Sequence, residues 1–311
     1  MDPVSPQPHV PAVGVWVPAV TFFDHATDTV DLAAQSRYFR YLASTGLTGI
    51  VALGTNLEAF LLTREERAAV IRAARRAVGP DYPLMAGVGA HSTKQTLELA
   101  RDAKDAGANY LLALPPAYLG AKATGMDVVR AFFAELAAKA PLPVVVYNFP
   151  GVCNGVDIDS DTITSIVRQS ALQANNNNGK SNVIGVKLTC GSVAKITRLA
   201  ATFAPDEFAA FGGQVDFLTG ALAAGGAGDV GAFANVFPRT AARIYGLWRA
   251  GRTDEATRLH RAHQGAVDKL KPRAPYGDEP VSEAAREAVR QAMAEVDKIE
   301  RALLSGNKSL L

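Results

Sequence analysis

The sequence has 311 residues, of which 48% are hydrophobic and 20% are charged, and its formal net charge is +2. This composition is typical of a globular protein, and so small a net charge gives no electrostatic reason to expect nucleic acid or an anionic membrane as a partner. No apolar run approaches the roughly 20 residues that a helix needs to cross a bilayer.

The first twelve residues form a proline-rich start, which we expect to be a flexible N-terminal segment. This start lacks the apolar region of a secretory signal and the Arg-rich character of a mitochondrial transit segment. The two cysteines, Cys153 and Cys190, are too few for a disulfide framework, which fits a reducing compartment. These observations predict a cytoplasmic protein.

Eight short apolar runs, typical of buried parallel strands, alternate with segments of helical periodicity. The runs are GVWVPAV from Gly14, GIVAL from Gly49, PLMAGV from Pro83, YLLAL from Tyr110, PVVVY from Pro143, VIGVK from Val183, FAAF from Phe208 and GDVGAF from Gly228. Helical spacing is clearest over Thr63–Val78, Ser92–Ala106 and Asp127–Lys139, and Thr63 with Glu66 forms a capping-box pattern.

Eight such units within residues 13–250 predict an α/β protein whose catalytic domain is one closed (β/α)8 TIM barrel. The alternative is an open doubly wound sheet, which loses support because no Gly-x-Gly-x-x-Gly follows the first strand.

Two segments fall outside the eight units. Residues 174–182, ANNNNGKSN, have the composition of a mobile surface loop before the sixth strand. Residues 251–311 are predicted to form a C-terminal helical extension, with a Pro/Gly break around Lys271–Pro280.

Polar side chains follow several of the predicted strands, and in a barrel these strand ends meet at the catalytic face. They lie in GTNLE (Gly54–Glu58), PPAY (Pro115–Tyr118), YNFPG (Tyr147–Gly151), KLT (Lys187–Thr189) and GGQ (Gly212–Gln214). A lysine, two tyrosines, threonines and an asparagine should therefore converge on one mouth.

Lys187 ends an apolar strand-like run, and this placement suits amine catalysis. A lysine can attack a ketone to form an imine, and the protonated imine then accepts electrons from an adjacent C–C bond. Burial at a strand end favours the neutral amine that this attack requires. A tyrosine hydroxyl nearby can move protons, and Thr55 with neighbouring backbone N–H groups can hold a carboxylate. Taken alone, a lysine that ends a strand is more often a surface residue.

At these residues the sequence resembles the dihydrodipicolinate synthase / N-acetylneuraminate lyase superfamily of class I aldolases. The similarity runs from about Val13 to Leu270. The family's G-[ST]-x-G-E appears as Gly54–Glu58, its Y-N-x-P as Tyr147–Pro150 and its G-[IV]-K as Gly185–Lys187. The resemblance implies the same barrel and a pyruvate-dependent lyase.

The resemblance also implies a role for each matching residue. Lys187 would form the Schiff base, and Tyr147 would relay protons above it. Thr55 would connect Tyr147 to Tyr118, which in the family enters the site of the neighbouring subunit. The other implied substrate-binding residues are Asn56, which with Thr55 would hold the pyruvoyl carboxylate, Gly213, which would line the pocket through its backbone, and Thr189.

Beyond single residues, the resemblance implies a homotetramer built from tight dimers. It also implies that no metal or nucleotide cofactor is needed, since the covalent imine does the chemistry.

Departures from the family pattern select among its members. Synthases of dihydrodipicolinate carry an arginine where this chain has Val152, and valine cannot bind the second carboxylate. Asn56 replaces the second threonine of the usual pair, and Leu188 replaces an acidic residue. We therefore favour cleavage of a 4-hydroxy-2-oxo acid or a 2-keto-3-deoxy sugar acid to pyruvate and an aldehyde. Leu57 replaces a glycine, and leucine is costly there or reshapes the pocket if that position needs a positive φ or lets the backbone approach the carboxylate.

Three alternatives remain open. The chain could be a dihydrodipicolinate synthase, or a catalytically lapsed barrel that serves as a binding or structural oligomer. A metal-dependent aldolase would need a cluster of His, Asp or Glu. His260 and His263 share a helix face but lie in the C-terminal extension, where a solvated face is the favoured interpretation, and His91 follows the third strand alone.

Overall fold

The structure is a computed structural model that describes residues 7, 9–173, 179–262 and 282–306. Its strands are numbered in chain order. They are β1 (Gly14–Pro18), β2 (Phe23–Asp24), β3 (Thr29–Val30), β4 (Gly49–Ala52), β5 (Leu84–Gly87), β6 (Tyr110–Ala113), β7 (Val144–Asn148), β8 (Val183–Leu188), β9 (Ala209–Gly212) and β10 (Gly228–Val230).

Eight of these strands close into a parallel barrel in the order β1-β10-β9-β8-β7-β6-β5-β4, while β2 and β3 form a separate hairpin. The predicted (β/α)8 barrel is confirmed. All eight predicted apolar runs overlap a barrel strand, although the last strand ends early, at Val230, because the chain turns there into a 3-10 helix over Ala232–Asn235.

Within the described residues, one helix follows each barrel strand, and three more follow the barrel. The helices are α1 (Leu32–Ala43), α2 (Arg64–Val78), α3 (Thr93–Asp105), α4 (Met126–Lys139), α5 (Ser160–Gln173), α6 (Val193–Thr202), α7 (Leu218–Ala223), α8 (Pro238–Arg249), α9 (Thr253–Ala262), α10 (Glu283–Ala292) and α11 (Ala294–Leu304). None of the described helices is long and apolar enough to cross a membrane.

The capping box predicted at Thr63 is present. The Glu66 backbone N–H donates to Thr63 Oγ1 at 3.2 Å, and the Thr63 N–H donates to Glu66 Oε2 at 2.9 Å. Two backbone donors that the helix leaves unpaired are thus satisfied, and α2 begins at Arg64.

Aromatic rings fill the barrel interior. The ring of Trp16 meets those of Tyr110 and Phe211 edge-on, with centroids 6.1 and 6.4 Å apart. All three side chains are at most 1% exposed. Such edge-to-face packing makes the interior a solid core beneath the mouth rather than a pore.

The chain segments that flank the barrel pack against it where they are described. Val10 is buried, and His9 Nε2 lies 2.8 Å from the carbonyl oxygen of Ser181. Asn182 Nδ2 donates to the carbonyl of Ala137 at 3.0 Å. Residues 174–178 of the predicted loop lie outside the described residues. The division of the chain into an N-terminal segment (1–12), a barrel domain (13–250) and a C-terminal extension (251–311) remains a prediction.

The C-terminal extension is helical where it is described. The predicted break at 271–280 lies outside the described residues. Glu300 of α11 accepts hydrogen bonds from the backbone N–H groups of Arg239 and Thr240, at 3.0 and 2.7 Å. Since these residues open α8, the last helix caps the helix that follows β10.

Candidate active site

Lys187 lies next to the end of β8 and is 1% exposed. It pairs with Tyr147 of β7 on one side and with Phe211 of β9 on the other. Paired residues of a parallel ladder point to the same face, so all three side chains point into the barrel. Lys187 Nζ lies 4.3 Å from the centroid of the Tyr147 ring. It makes no hydrogen bond or ion pair with the described residues. Because its side chain is buried, Lys187 is not the surface residue that a lysine at a strand end more often is.

Tyr147 connects the lysine to the loop after β4. Its hydroxyl lies 3.3 Å from Thr55 Oγ1, and its side chain is buried. Thr55 opens a 3-10 turn over Thr55–Leu57 and is itself exposed at the mouth. The structure therefore brings together three predicted catalytic residues, Lys187, Tyr147 and Thr55, across the barrel.

The loop that holds Thr55 and Asn56 has its left-handed residues at unexpected positions. Leu57 is not among the residues with positive φ and is fully buried in the core. Instead, Leu53 has φ 61° and Glu58 has φ 55°. The positive-φ condition under which Leu57 would be costly is therefore not met, and strain falls instead on Leu53, which precedes the predicted carboxylate site, and on Glu58. Whether a glycine at this position would let the backbone approach the carboxylate stays a prediction.

Thr189 and Gly213 lie beside each other after β8 and β9. Thr189 Oγ1 lies 3.5 Å from the carbonyl oxygen of Gly213. A Cβ atom at position 213 would lie 2.0 Å from Thr189 Oγ1, so a side chain there would displace the threonine. Glycine is required by this close approach, which places both predicted residues at the same edge as Lys187.

Tyr118 is the predicted catalytic residue that stands apart. It is 74% exposed, and its ring centroid lies 5.5 Å from that of His91. The His91 ring in turn lies 5.9 Å from the ring of Phe60, which is 51% exposed. These three side chains form an outward-facing aromatic cluster, and Tyr118 has no hydrogen bond to Thr55.

Sequence reasoning missed Asp229, the middle residue of β10. Its side chain is fully buried, and this burial raises the pKa of the carboxyl to about 7, while the charge of Lys187 acts to lower it. The signal was available, because an acidic residue inside the apolar run GDVGAF is as unusual as the lysine inside VIGVK.

The histidines do not gather into a metal site in the part of the chain that is described. His260 is 4% exposed, and its Nδ1 atom lies 2.8 Å from Thr219 Oγ1. The solvated-face interpretation is therefore wrong for His260, while His263 lies outside the described residues. Those residues contain no group of three or more His, Cys, Asp or Glu that could hold a metal ion.

A cavity lies at the opposite end of the barrel. It has a volume of about 280 Å³, and its lining includes Phe203, Tyr245 and Trp248. Size alone would make it the first candidate site. It contains no nucleophile with a partnering acid or base, so the chemistry of the site at Lys187 outweighs the cavity's size.

Comparison with known proteins agrees with this geometry. The model of the dihydrodipicolinate synthetase family matches residues 11–289. The chain belongs to this family. The family resemblance read from Lys187, Tyr147 and Thr55 is thereby confirmed.

Two relatives of this chain are named as aldolases, and one solved structure is closely similar to it. A protein of Coccidioides immitis, provisionally named a mitochondrial 4-hydroxy-2-oxoglutarate aldolase, is 55% identical over 95% of this chain and 99% of its own length. The L-threo-3-deoxy-hexylosonate aldolase of Aspergillus niger is 34% identical over 93% of this chain and 95% of its own. A crystal structure of a family protein from Coccidioides immitis has a TM-score of 0.85 and 53% identity, covering 95% of this chain and 99% of that one.

The predicted cytoplasmic location is wrong, because the relative that is 55% identical is named as mitochondrial. The prediction rested on the composition of the first residues. A cellular address is read by receptors from a short segment and is independent of the fold, so the barrel carries no signal for it.

Proposed function

We propose that the protein is a class I aldolase that cleaves a 4-hydroxy-2-oxo acid to pyruvate and an aldehyde. One observation carries the proposal: the Lys187 amine is buried against the Tyr147 ring, and the Tyr147 hydroxyl contacts Thr55. A buried amine beside a relayed hydroxyl is the arrangement that imine chemistry needs.

Imine formation would begin when the neutral Lys187 amine attacks the C2 ketone of the substrate. The tetrahedral adduct then loses its hydroxyl group as water and leaves a protonated imine. Tyr147 is placed to donate the proton that the departing hydroxyl needs and to recover it from Thr55 or solvent. The interior position of both side chains keeps bulk water from competing for these protons.

Cleavage of the C3–C4 bond would follow. The 4-hydroxyl group loses its proton as the bond breaks, the aldehyde departs, and the bonding electrons move into the protonated imine to give an enamine. Protonation of C3 and hydrolysis of the imine then release pyruvate and free Lys187. The covalent imine supplies the electron sink, so the proposal requires no metal or nucleotide.

The substrate carboxylate would lie at the loop after β4, where Thr55 and Asn56 follow the left-handed Leu53. The second end of the substrate would face the turn over Pro150–Val152. Val152 lies there and is 45% exposed, so the side chain at this position supplies no charge for a second carboxylate. This argues against the synthase that condenses pyruvate with aspartate semialdehyde. A dicarboxylic 4-hydroxy-2-oxo acid would need a partner other than residue 152 for its second carboxylate.

The class of substrate follows from what two relatives share. The substrates named for the Coccidioides immitis and Aspergillus niger proteins are a 4-hydroxy-2-oxo dicarboxylic acid and a 3-deoxy sugar acid. Both reactions make or break a bond next to a 2-oxo acid. We therefore infer a substrate with a 2-oxo group and a 4-hydroxyl group, of either kind.

We also infer that a second copy of the chain covers the aromatic cluster of Phe60, His91 and Tyr118. Exposed aromatic patches mark contact surfaces, and Leu119 beside Tyr118 is 77% exposed. Tyr118 would then reach the site of the neighbouring copy and extend its Tyr147–Thr55 relay. Sedimentation of the wild-type chain would show a dimer or tetramer, whereas a stable, fully active monomer would exclude this arrangement.

The proposal is tested by trapping the imine. The protein is incubated with pyruvate and borohydride and digested, and the masses of its peptides are measured by mass spectrometry. We expect a reduced pyruvate adduct on Lys187. Lys195 is a matched internal control, since it is also buried but is paired with Asp157 at 2.5 Å. Folded protein without an adduct on Lys187 would instead support the catalytically lapsed barrel.

A further inference from the structure

Asp229 is a buried acid that the proposed mechanism does not use. Its side chain is fully buried, and neither carboxylate oxygen has a hydrogen-bond partner of normal geometry among the described residues. A Cβ atom on Gly212 would lie 2.6 Å from Asp229 Oδ1, so the carboxylate occupies the space that a side chain at position 212 would fill. A buried carboxylate is costly unless it is paired, so its presence here needs a reason.

Strand register places Asp229 on the outer face of the barrel, two strands from Lys187. Lys187 pairs with Phe211, and Asp229 pairs with the next residue of β9, Gly212. Successive residues of a strand point to opposite faces, so Asp229 faces the helical layer while Lys187 points into the barrel. The two residues are separated by one intervening strand, which puts their backbones roughly 10 Å apart.

Two charged groups act on the Asp229 carboxyl. The Lys187 charge favours its ionised form, and the exposed Asp216, on the turn after β9, disfavours it. The backbone N–H groups of Val230 and Gln214 also favour the ionised form.

The neighbouring elements add no competing cation to this pair. The strands β1 and β9 and helix α7 contain no titratable residue. Helix α8, which packs on β1, carries Arg239, Arg243 and Arg249, and these act on Glu300, Glu255 and Tyr245 respectively. Helix α6, which packs on β9, carries Lys195, which pairs with Asp157, and Arg198, which donates to Ser160 Oγ. Among the described residues, Lys187 is thus the cation whose charge favours the ionised form of Asp229.

We propose that Asp229 is the buried counter-charge of Lys187: it raises the affinity of the amine for a proton and keeps the imine in its protonated, reactive form. The inference rests on the proposed function, because it gives a role to the charge that Lys187 carries as an imine. Asp229 acts through Lys187 and does not touch the substrate.

The ionisation of Asp229 fits this role. Burial raises its pKa to about 7, so the carboxylate is present above neutral pH, where a lysine imine would otherwise lose its proton. In the unfolded chain the same carboxyl ionises near its ordinary value of 3.8. Ionisation therefore opposes folding between these values, and the cost is fully present above about pH 7. A costly charge that persists indicates a function.

Asp229→Asn tests the proposal because it keeps the shape and removes the charge. The rate at which pyruvate and cyanoborohydride label Lys187 is measured from about pH 5.5 to about pH 9. The rising limb of this profile reports deprotonation of the amine, and the falling limb reports deprotonation of the imine. Loss of a counter-charge should move both limbs to lower pH, by about one unit, which is a tenfold change in proton affinity. A purely structural role would lower the profile without moving its midpoints.

Asp216→Asn is the matched control, since it removes an exposed negative charge from the turn beside Asp229. We expect it to leave both limbs within a few tenths of a unit of the wild type. Limbs that stay in place in Asp229→Asn, or that move equally in both variants, would overturn the proposal. If the wild type is not labelled at any pH, the proposed function itself fails, which separates the two conclusions.

Thermal unfolding gives a second measurement. Asp229→Asn should be at least as stable as the wild type at pH 8, with a gain that shrinks as the pH falls toward 5. A variant that is unfolded at pH 8 would also overturn the proposal, because a neutral amide must cost less to bury than the charge does.

Discussion

The two ends of the barrel each bury a basic side chain, and the two side chains differ in their hydrogen bonding. At the amino-terminal end, Arg75 is 3% exposed and donates to the carbonyls of Gly107, Gly79 and Tyr82 at 2.8, 2.6 and 2.8 Å, and to Asn109 Oδ1 at 2.7 Å. At the carboxyl-terminal end, Lys187 is as deeply buried, and no described residue accepts a hydrogen bond from it.

The contrast separates stability from function within one fold. A buried cation whose three nitrogens all donate hydrogen bonds ties loops together, and burial lowers the pKa of Arg75 only to about 10, so it stays charged near neutral pH. A buried amine with no acceptor is costly to the fold whenever it is charged, and no partner holds it away from a substrate. The catalytic face of a barrel is where such a cost is expected.

The largest effect should come from Lys187→Met. The variant removes the nucleophile, so turnover of a 4-hydroxy-2-oxo acid should fall by at least about 10⁴-fold. Stability should change little, because an apolar side chain of similar length replaces the buried amine and Asp229, whose pKa burial raises to about 7, can take up a proton. Aldehyde release and thermal unfolding measure the two outcomes.

Lys195→Met is the matched control for that variant. Lys195 is buried but paired with Asp157, so its loss should cost stability and leave turnover per folded molecule nearly unchanged. If Lys187→Met retained activity, the imine mechanism would be excluded.

Arg75→Met should show the reverse pattern. Five acceptors lose their donor at once, the carbonyl of Pro80 at 3.3 Å being the fifth, so we expect a loss of about 3–4 kcal/mol in the free energy of unfolding. Activity per folded molecule should persist, because the site lies at the other end of the barrel. Denaturant titration checks the loss, and Arg76→Met, an exposed neighbour in the same helical turn, should change stability by less than about 0.5 kcal/mol. Equal losses in both variants would contradict the hydrogen-bond explanation.

Tyr147→Phe should reduce kcat by about 10²-fold, since it removes one proton relay and keeps the ring that packs on Lys187. Thr55→Val should cost less alone and add little to Tyr147→Phe, because the two hydroxyls act as one unit at 3.3 Å. Single-turnover kinetics on the three variants would measure this coupling. Fully additive losses would show that the two hydroxyls work independently.

The same contrast explains what the sequence could predict. Apolar runs and a capping pattern are local, so the barrel and the start of α2 at Arg64 were predictable. Lys187 could be found because a charge in a strand run is conspicuous. Its distance to Tyr147, the exposure of Tyr118 and the burial of His260 depend on which faces meet in three dimensions. The signal of Asp229 is equally local, but only the ends of barrel strands meet at the catalytic face, so a carboxylate in the middle of a strand is not assigned to the site by its position.

The smallest expected effect is on stability, and it concerns α11, which caps the start of α8. Glu300 accepts from the N–H groups of Arg239 and Thr240 and from Thr240 Oγ1, at 3.0, 2.7 and 2.7 Å. Glu300→Gln replaces one acceptor oxygen with an NH₂ group that faces a donor, so we expect a loss of about 1–2 kcal/mol.

Asp297→Asn is the control for this variant, because Asp297 lies on the same helix but makes only an exposed pair with Arg301 at 2.8 Å. It should change stability by at most about 0.5 kcal/mol. Thermal unfolding at several salt concentrations separates the two. The Glu300 effect should persist at high salt because its partners are buried backbone donors, whereas the Asp297 effect should vanish. A Glu300 effect that vanished with salt would mean that the last helix is held by surface charge rather than by its cap on α8.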